Sequence, residues 1–455
     1  LSGRARTARG GFRCTECGHQ ATQWVGRCPS CQSWGSLEQT GPALASRPGR
    51  QIAAGAPTTP ARRIGDVALD TARARPTGVS ELDRVLGGGL VPGSVVLLAG
   101  EPGVGKSTLL LAVAAQAAHR GRVLYVTGEE SAGQVRLRAE RTAGVHDELY
   151  LAAESDLAAV VGHIEALDPQ LLVVDSVQTM STPDADGAPG GVTQTRAVTV
   201  GLTALAKDRG LSVLLVGHVT KDGSIAGPRV LEHLVDVVLA FEGDRHSTLR
   251  MVRGVKNRFG PADEVGCFEM RDAGIVGLPD PSGLFLDRFD GPPVPGTAVT
   301  VVLDGRRPLP AELQALVTGK DIPSPRRAVS GLDNARVAML LAVLQSRAGL
   351  RLHDAEVYAA TVGGMRVLEP AADLALALAV ASARRDVALP PDVVVLGEIG
   401  LAGEVRRVTG LDRRLAEAAR LGFTHALVPP DAGPGPPGMR ITEVRDIGAV
   451  LSAIR

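Results

Sequence analysis

The segment Gly100-Glu-Pro-Gly-Val-Gly105-Lys106-Ser107 constrains this chain more than any other. It follows the apolar run 94–100 and opens an amphipathic stretch near 106–119, so it reads as strand, glycine-rich loop and helix. Such a loop wraps backbone N–H groups around a phosphate, and the helix N-terminus adds positive potential. Nucleotide contacts are expected from Gly100, Glu101, Pro102, Gly103, Val104, Gly105, Lys106, Ser107 and Thr108. Lys106 is the residue to bridge the β- and γ-phosphates of ATP, and Ser107 the residue to ligate Mg²⁺. Further apolar runs at 122–128, 171–176 and 212–218 alternate with helical stretches near 131–143, 156–167 and 193–209. That alternation predicts an α/β fold with a mainly parallel sheet and crossover helices.

Carboxylates stand at the ends of these strands. Asp175 closes the run LLVVD and is the expected second organiser of Mg²⁺. Glu129 and Glu130 end the neighbouring run, where a carboxylate can orient and deprotonate the attacking water. Glu129 is preferred. His218 closes a further run, either as a hydrogen-bonded core histidine or, as resemblance to similar ATPases implies, as a polar sensor of the γ-phosphate.

A second constraint is Cys14-x2-Cys17-x10-Cys28-x2-Cys31, the spacing of a closed four-thiolate zinc site. A module of about 25 residues is too small to bury a core of its own, so Zn²⁺ would supply its folding energy. Both tryptophans, Trp24 and Trp34, lie here with Arg13 and Arg27. They either cover the zinc as a miniature core or stack on bases while the arginines contact phosphates.

Composition narrows the partners. Lys+Arg and Asp+Glu number 49 each over 455 residues, so any polyanion site must be a local patch. No run of 18 apolar residues occurs, so no membrane span is expected. The start carries Arg4, Arg6 and Arg9 without the apolar core of a secretory signal, and cytoplasmic location is the expectation. Only five lysines occur, Lys106 and Lys256 among them.

The domain reading is a zinc module at 12–35, a flexible Ala/Pro/Gly/Arg linker at 36–62, an ATPase domain at 63–280 and a separate α/β domain at 281–455. The Pro/Gly cluster at 281–297 marks the last boundary.

The ordered set CTECG…WVGRCPSC, PTGVSELDRVLGGGLVPGSVVLLAGEPGVGKSTLL, YVTGEES, VVDSVQT, TKDGSIAGPRVLEHLVD and KNRFG resembles the RadA (Sms) family of bacterial DNA repair proteins, with a RecA-like ATPase core. The resemblance implies a hexameric ring that moves on single-stranded DNA. It implies branch migration of recombination intermediates, on single-stranded and branched DNA, in company with RecA. It also implies that Lys256 and Arg258 reach the γ-phosphate of a neighbouring subunit, as an arginine finger does. Gly-rich loops at about 177–195 and 219–229 would face the ring channel, with Arg196, Lys221 and Arg229 as the DNA contacts.

Residues 331–430 resemble the proteolytic domain of Lon proteases, through EPAADLALALAVAS and VVVLGEIGLAGEVRRVTGLDRRLAEAARLGF. The position of the Lon serine falls on Ala371 and that of its lysine on Arg414. Alanine has no nucleophile and arginine cannot act as a neutral base. The expectation is therefore a scaffold without a catalytic dyad. The rival readings are an ATP-dependent Lon-type protease, a clock or signalling ATPase with a protein partner, and a zinc-dependent DNA-binding adaptor whose ATPase is only a switch.

Overall fold

Period-two burial builds the central layer. In β4 (Val95–Gly100) all six residues are buried, yet successive side chains enter different cores. Val96 and Leu98 pack with Leu109, Leu110 and Val113 of helix α2 (Lys106–Ala118). Val95 and Leu97 pack with Val160 and Ile164 of α4 (Leu157–Leu167), and with Val198 and Leu202 of α5 (Val192–Arg209). A strand buried on both faces is what a parallel sheet between two helical layers requires.

The computed structural model describes residues 11–21, 23–40, 61–66, 73–218, 231–243, 247–286, 292–319 and 325–453. They fall into two compact units, Leu1–Ala68 and Leu69–Arg455.

The first unit holds a three-stranded antiparallel sheet, β2 (Gln20–Ala21), β1 (Gly11–Cys14) and β3 (Leu37–Thr40). Strand β3 lies inside the segment expected to be linker. Leu37 joins Cys14, Cys28, Phe12 and Ala21 in the module's small core, so the folded module runs past residue 35. Residues 41–60 of the expected linker lie outside the described residues.

In the second unit the sheet order is β12-β11-β10-β9-β4-β8-β7-β5-β6. These are β5 (Val123–Thr127), β6 (Leu149–Ala153), β7 (Leu171–Asp175), β8 (Ser212–His218), β9 (Val237–Glu242), β10 (Leu249–Asn257), β11 (Val265–Arg271) and β12 (Gly274–Gly277). From β6 to β9 every pairing is parallel, and β9 to β12 form an antiparallel flank. The remaining helices of this layer are α1 (Ser80–Leu86) and α3 (Ala132–Arg141).

A second sheet follows, in the order β15-β16-β14-β13-β17-β20-β21, with a small pair β18 (Glu398–Ile399) and β19 (Val405–Arg406). Its strands are β13 (Thr297–Asp304), β14 (Arg307–Thr318), β15 (Arg327–Ser330), β16 (Glu356–Thr361), β17 (Val393–Val395), β20 (His425–Val428) and β21 (Arg440–Glu443). Helices Asn334–Arg347 and Asp373–Arg385 cover one face, and Leu411–Arg420 packs on the other. Pro308 and Pro310 hide β14 from a sequence reading, because proline is expelled from central strands. Here both lie where β14 has only β13 as partner, and β16 joins from Leu313 onward.

The β13–β14 turn reaches the ATPase sheet. Arg307 is buried, ion-paired to Glu81 of α1, and donates to the carbonyls of Val265 (2.9 Å) and Pro279 (2.9 Å). Glu81 also accepts from the Cys267 N–H at 2.9 Å. Arg253 of β10 pairs with Asp304 at the same turn.

Candidate ATPase and zinc sites

The strand order brings the expected phosphate-site residues to one end of the sheet. Gly100, Thr127, Asp175 and His218 close β4, β5, β7 and β8, and ligands bind at such strand ends in open α/β sheets. Gly105 caps α2 with φ of 112°, a conformation that disfavours any side chain, and an added Cβ would strike Met270. Lys106 folds back along the loop, and its Nζ donates to the carbonyls of Gly100 and Glu101 at 2.8 Å each. Ser107 and Thr108 are half-buried in the first helical turn.

Asp175 is buried, and its Oδ2 accepts the Tyr125 hydroxyl at 2.6 Å. Its Oδ1 has no hydrogen-bond partner among the described residues. A buried carboxylate oxygen without a partner is costly in a resting protein. It fits a hard cation that takes oxygen ligands, and Ser107 is the natural companion ligand.

Glu129 and Glu130 separate cleanly. Glu130 is ion-paired to Arg138 of α3. Glu129 accepts from Ser176 Oγ (2.6 Å) and meets His218 Nε2 at 2.8 Å. Burial alone would push the Glu129 carboxyl up. The hydrogen bonds of Ser176 and His218, with the charges of His218 and Lys106, outweigh it and hold the group below the usual glutamate value. Ser176 and Tyr125 were not anticipated as site residues, although they lie in the runs VVDSVQT and YVTGEES, because spacing does not show which carboxylate a hydroxyl will meet. Nor was Arg250, whose Nε donates to the Val104 carbonyl of the phosphate loop at 3.0 Å from the flanking strand β10.

Burial pulls the Lys106 ammonium down to about 8, against the opposing pull of Asp175, Glu129 and Glu101. The charged form is the one that holds phosphate, and it is lost as pH rises through that value. ATP binding between pH 8 and 9 is thus expected to take up a proton. Calorimetry in buffers of unequal ionisation enthalpy reads the uptake directly. Lys106→Arg, which cannot lose its charge, should abolish it, and proton-neutral binding by the unaltered protein would refute the assignment.

Lys256 and Arg258 lie elsewhere. Asn257 pairs with Val237, and Val237 with Val96, so the motif stands at the start of β4 while the phosphate loop leaves its end. At ~3.3 Å per residue that is a separation of about 15 Å along the strand. Lys256 Nζ donates to the carbonyls of Glu232 (2.6 Å) and Val235 (2.8 Å). Arg258 Nη1 donates to Asp236 Oδ1 at 3.0 Å, and Asp236 Oδ2 accepts the Val95 N–H at 3.1 Å. Arg196 is exposed on α5. Lys221 and Arg229 lie outside the described residues.

The four cysteines meet the geometric test for zinc. All four Sγ atoms lie within 4.8 Å of one another. Cys14–Cys31 and Cys17–Cys28 are 3.6 and 3.7 Å apart. A tetrahedron with ~2.3 Å Zn–S bonds has edges of about 3.8 Å. Trp24 and Trp34 do not cover the cluster; both are exposed, and Leu37 with Phe12 fills that role. Chelation strong enough to strip one zinc per chain is expected to open 11–40 to proteolysis. The far-UV helical signal should stay, because every described α-helix belongs to the other unit. Loss of that signal with the metal would overturn the independence of the module.

Family models match three stretches of the chain. Residues 12–39 match the rubredoxin metal binding domain, 59–224 the AAA domain and 365–432 the subunit ChlI of Mg-chelatase. The DNA repair protein RadA of Mycolicibacterium smegmatis is 59% identical over 98% of this chain and 97% of its own length. The chain belongs to the RadA family of DNA repair proteins. RadA of Mycobacterium tuberculosis (strain H37Rv) is 58% identical over 98% of this chain and 93% of its own. RadA of Streptococcus pyogenes serotype M1 is 46% identical over 97% and 98%. As a RadA-family protein with an intact phosphate loop, the chain is an ATP hydrolase. Among the described residues no helix is long and apolar enough to cross a membrane.

In the C-terminal sheet Ala371 is buried at a helix start. Arg414 is fully buried, with bonds to Glu369 (Nη2–Oε2 2.8 Å), the Val301 carbonyl (2.7 Å) and the Thr409 carbonyl (2.9 Å).

Proposed function

We propose that the chain is a DNA-dependent ATPase that works as a homo-oligomeric ring, hexameric by family resemblance, moving along single-stranded DNA. In that reading it promotes branch migration of recombination intermediates together with RecA. The observation that carries the ring is the placement of Lys256 and Arg258. They stand about 15 Å from their own phosphate loop, beside Asp236, which supports a reading in which a second copy presents them to a bound nucleotide. Lys106 binds the phosphates of its own subunit's ATP, and Glu129, oriented by Ser176 and His218, takes the proton of the attacking water. Magnesium held by Ser107 and Asp175 would neutralise charge on the phosphate oxygens. The neighbour's Lys256 and Arg258 act on the transferring phosphoryl group.

The C-terminal domain is assigned as a Lon-protease-like scaffold without peptidase chemistry. Ala371 has no nucleophile, and an arginine ion-paired to Glu369 cannot take a serine proton.

The experiment that tests the reading is the ATPase rate with and without single-stranded DNA. Stimulation by an unstructured oligonucleotide supports the motor. A rate indifferent to DNA refutes it and returns the signalling ATPase with a protein partner.

A further inference from the structure

We propose that the second zinc knuckle is a base-stacking platform for single-stranded nucleic acid, built from Trp34 and Trp24. The proposal rests on the DNA-dependent reading above and names the part of the chain that grips the strand outside the ATPase core.

Trp34 and Trp24 remain 77% and 60% exposed, the largest apolar side chains left to solvent in a module whose core is otherwise closed. The orientation of Trp34 is built. Arg27 and Trp34 face each other across an antiparallel bridge, and the Gly35 N–H donates to the Gly26 carbonyl at 3.0 Å. The Trp34 ring lies over Gly26, where an added Cβ would meet Cζ3 at 3.7 Å. Arg27 stands 5.7 Å from the ring centroid, its guanidinium fixed by the Gln32 carbonyl (2.7 Å) and Gln32 Oε1 (2.8 Å). A held aromatic face beside a held cation is what sequence-tolerant stacking needs, because every base offers a π-face and every nucleotide a phosphate.

Charge selects the occupant. The full chain is neutral, but Leu1–Ala68 carries nine arginines against Glu16, Glu38 and Asp66. Even after the net negative charge of a four-thiolate zinc centre, the unit stays basic. Within 11–40 Arg13 and Arg27 only balance Glu16 and Glu38, so the arginine excess that favours a polyanion lies in the flanking sequence, and the knuckle itself contributes the aromatic faces and Arg27.

The test uses the full-length zinc-loaded protein and a dT20 oligonucleotide, with binding followed independently by anisotropy of a label on the DNA. Trp24 and Trp34 are the only tryptophans, so intrinsic emission reports the knuckle alone. Saturating dT20 is expected to quench it. Trp34→Ala and Trp24→Ala should each weaken dT20 binding by about five- to a hundredfold, and Trp34→Phe should keep most of the affinity. The slope of log K against log salt should not change, because no phosphate contact has been removed. Unaltered zinc content verifies that the variants fold. Emission that ignores bound dT20, or alanine variants that bind as tightly as the unaltered protein, would overturn the proposal. Variants that keep dT20 but lose a recombinase would assign the patch to a protein and overturn it equally. DNA stimulation of ATPase, measured alongside, separates failure of this platform from failure of the motor reading.

Discussion

Glu129→Gln is expected to lower ATP turnover by about 10²- to 10⁴-fold while leaving nucleotide binding near its original strength. Glutamine keeps the shape of the side chain, and one of its polar atoms can still meet Ser176 and His218, but it cannot accept the water proton. Glu130→Gln is the matched control. Its partner is Arg138, away from the Ser176–His218 pair, so turnover should change little. The pH profile adds an independent check. The Glu129 carboxyl lies below the usual glutamate value, so the base stays ionised through the neutral range. The acid limb of the activity profile should therefore fall below where an ordinary glutamate would protonate, separate from the alkaline loss of charge on Lys106, and the acid limb should vanish in Glu129→Gln. A Glu130→Gln variant as inactive as Glu129→Gln would reverse the assignment.

A larger effect is expected at the opposite end of the sheet. Arg258→Ala should cost on the order of 10³-fold in turnover or more and spare ATP binding, because its contact matters as charge develops in the transition state. Lys106→Ala should lose binding and turnover together. Mixing the two inactive proteins is then informative. In a mixed ring some interfaces pair an intact loop with an intact neighbouring Arg258, so part of the ATPase activity should return. The Asp236 pairing gives a second variant. Asp236→Asn keeps only one accepting oxygen for two donors, Arg258 Nη1 and the Val95 N–H, so it should loosen the hold on Arg258 while leaving the guanidinium in place, and turnover should fall less than in Arg258→Ala. If native mass spectrometry shows mixed assemblies that stay inactive at every ratio, Arg258 acts within its own subunit or holds Asp236 for structure alone.

How much of this was legible beforehand follows from the range of each interaction. The phosphate loop needs backbone conformations supplied by glycines at fixed offsets and one lysine, all within eight residues. The zinc centre needs four thiolates at knuckle spacing. Buried parallel strands announce themselves as apolar runs, and most observed boundaries fall within a residue or two of those runs. Strand β14 escaped because its prolines are tolerated only where one neighbour is missing, and a chain read in isolation does not say where that is.

The amino-acid order by itself determined the chemistry on offer: a phosphate cradle, two candidate bases, a four-thiolate site, a basic motif at 256–260 and a C-terminal α/β domain with Ala371 and Arg414 where the Lon resemblance puts its serine and lysine. Tertiary structure decided who meets whom. Strand order β4-β8-β7-β5 placed His218 and Ser176 on Glu129 and left Glu130 to Arg138. The antiparallel flank set Lys256 and Arg258 at the far end from their own loop. Closure of the zinc module over Leu37 and Phe12 turned both tryptophans outward. Ser176 and His218 reach Glu129 from 47 and 89 positions away, and β9 joins the basic motif to a β4 far earlier in the chain. Local spacing carries no information about those contacts, because pairing register and packing, not residue identity, choose which side chains share a face.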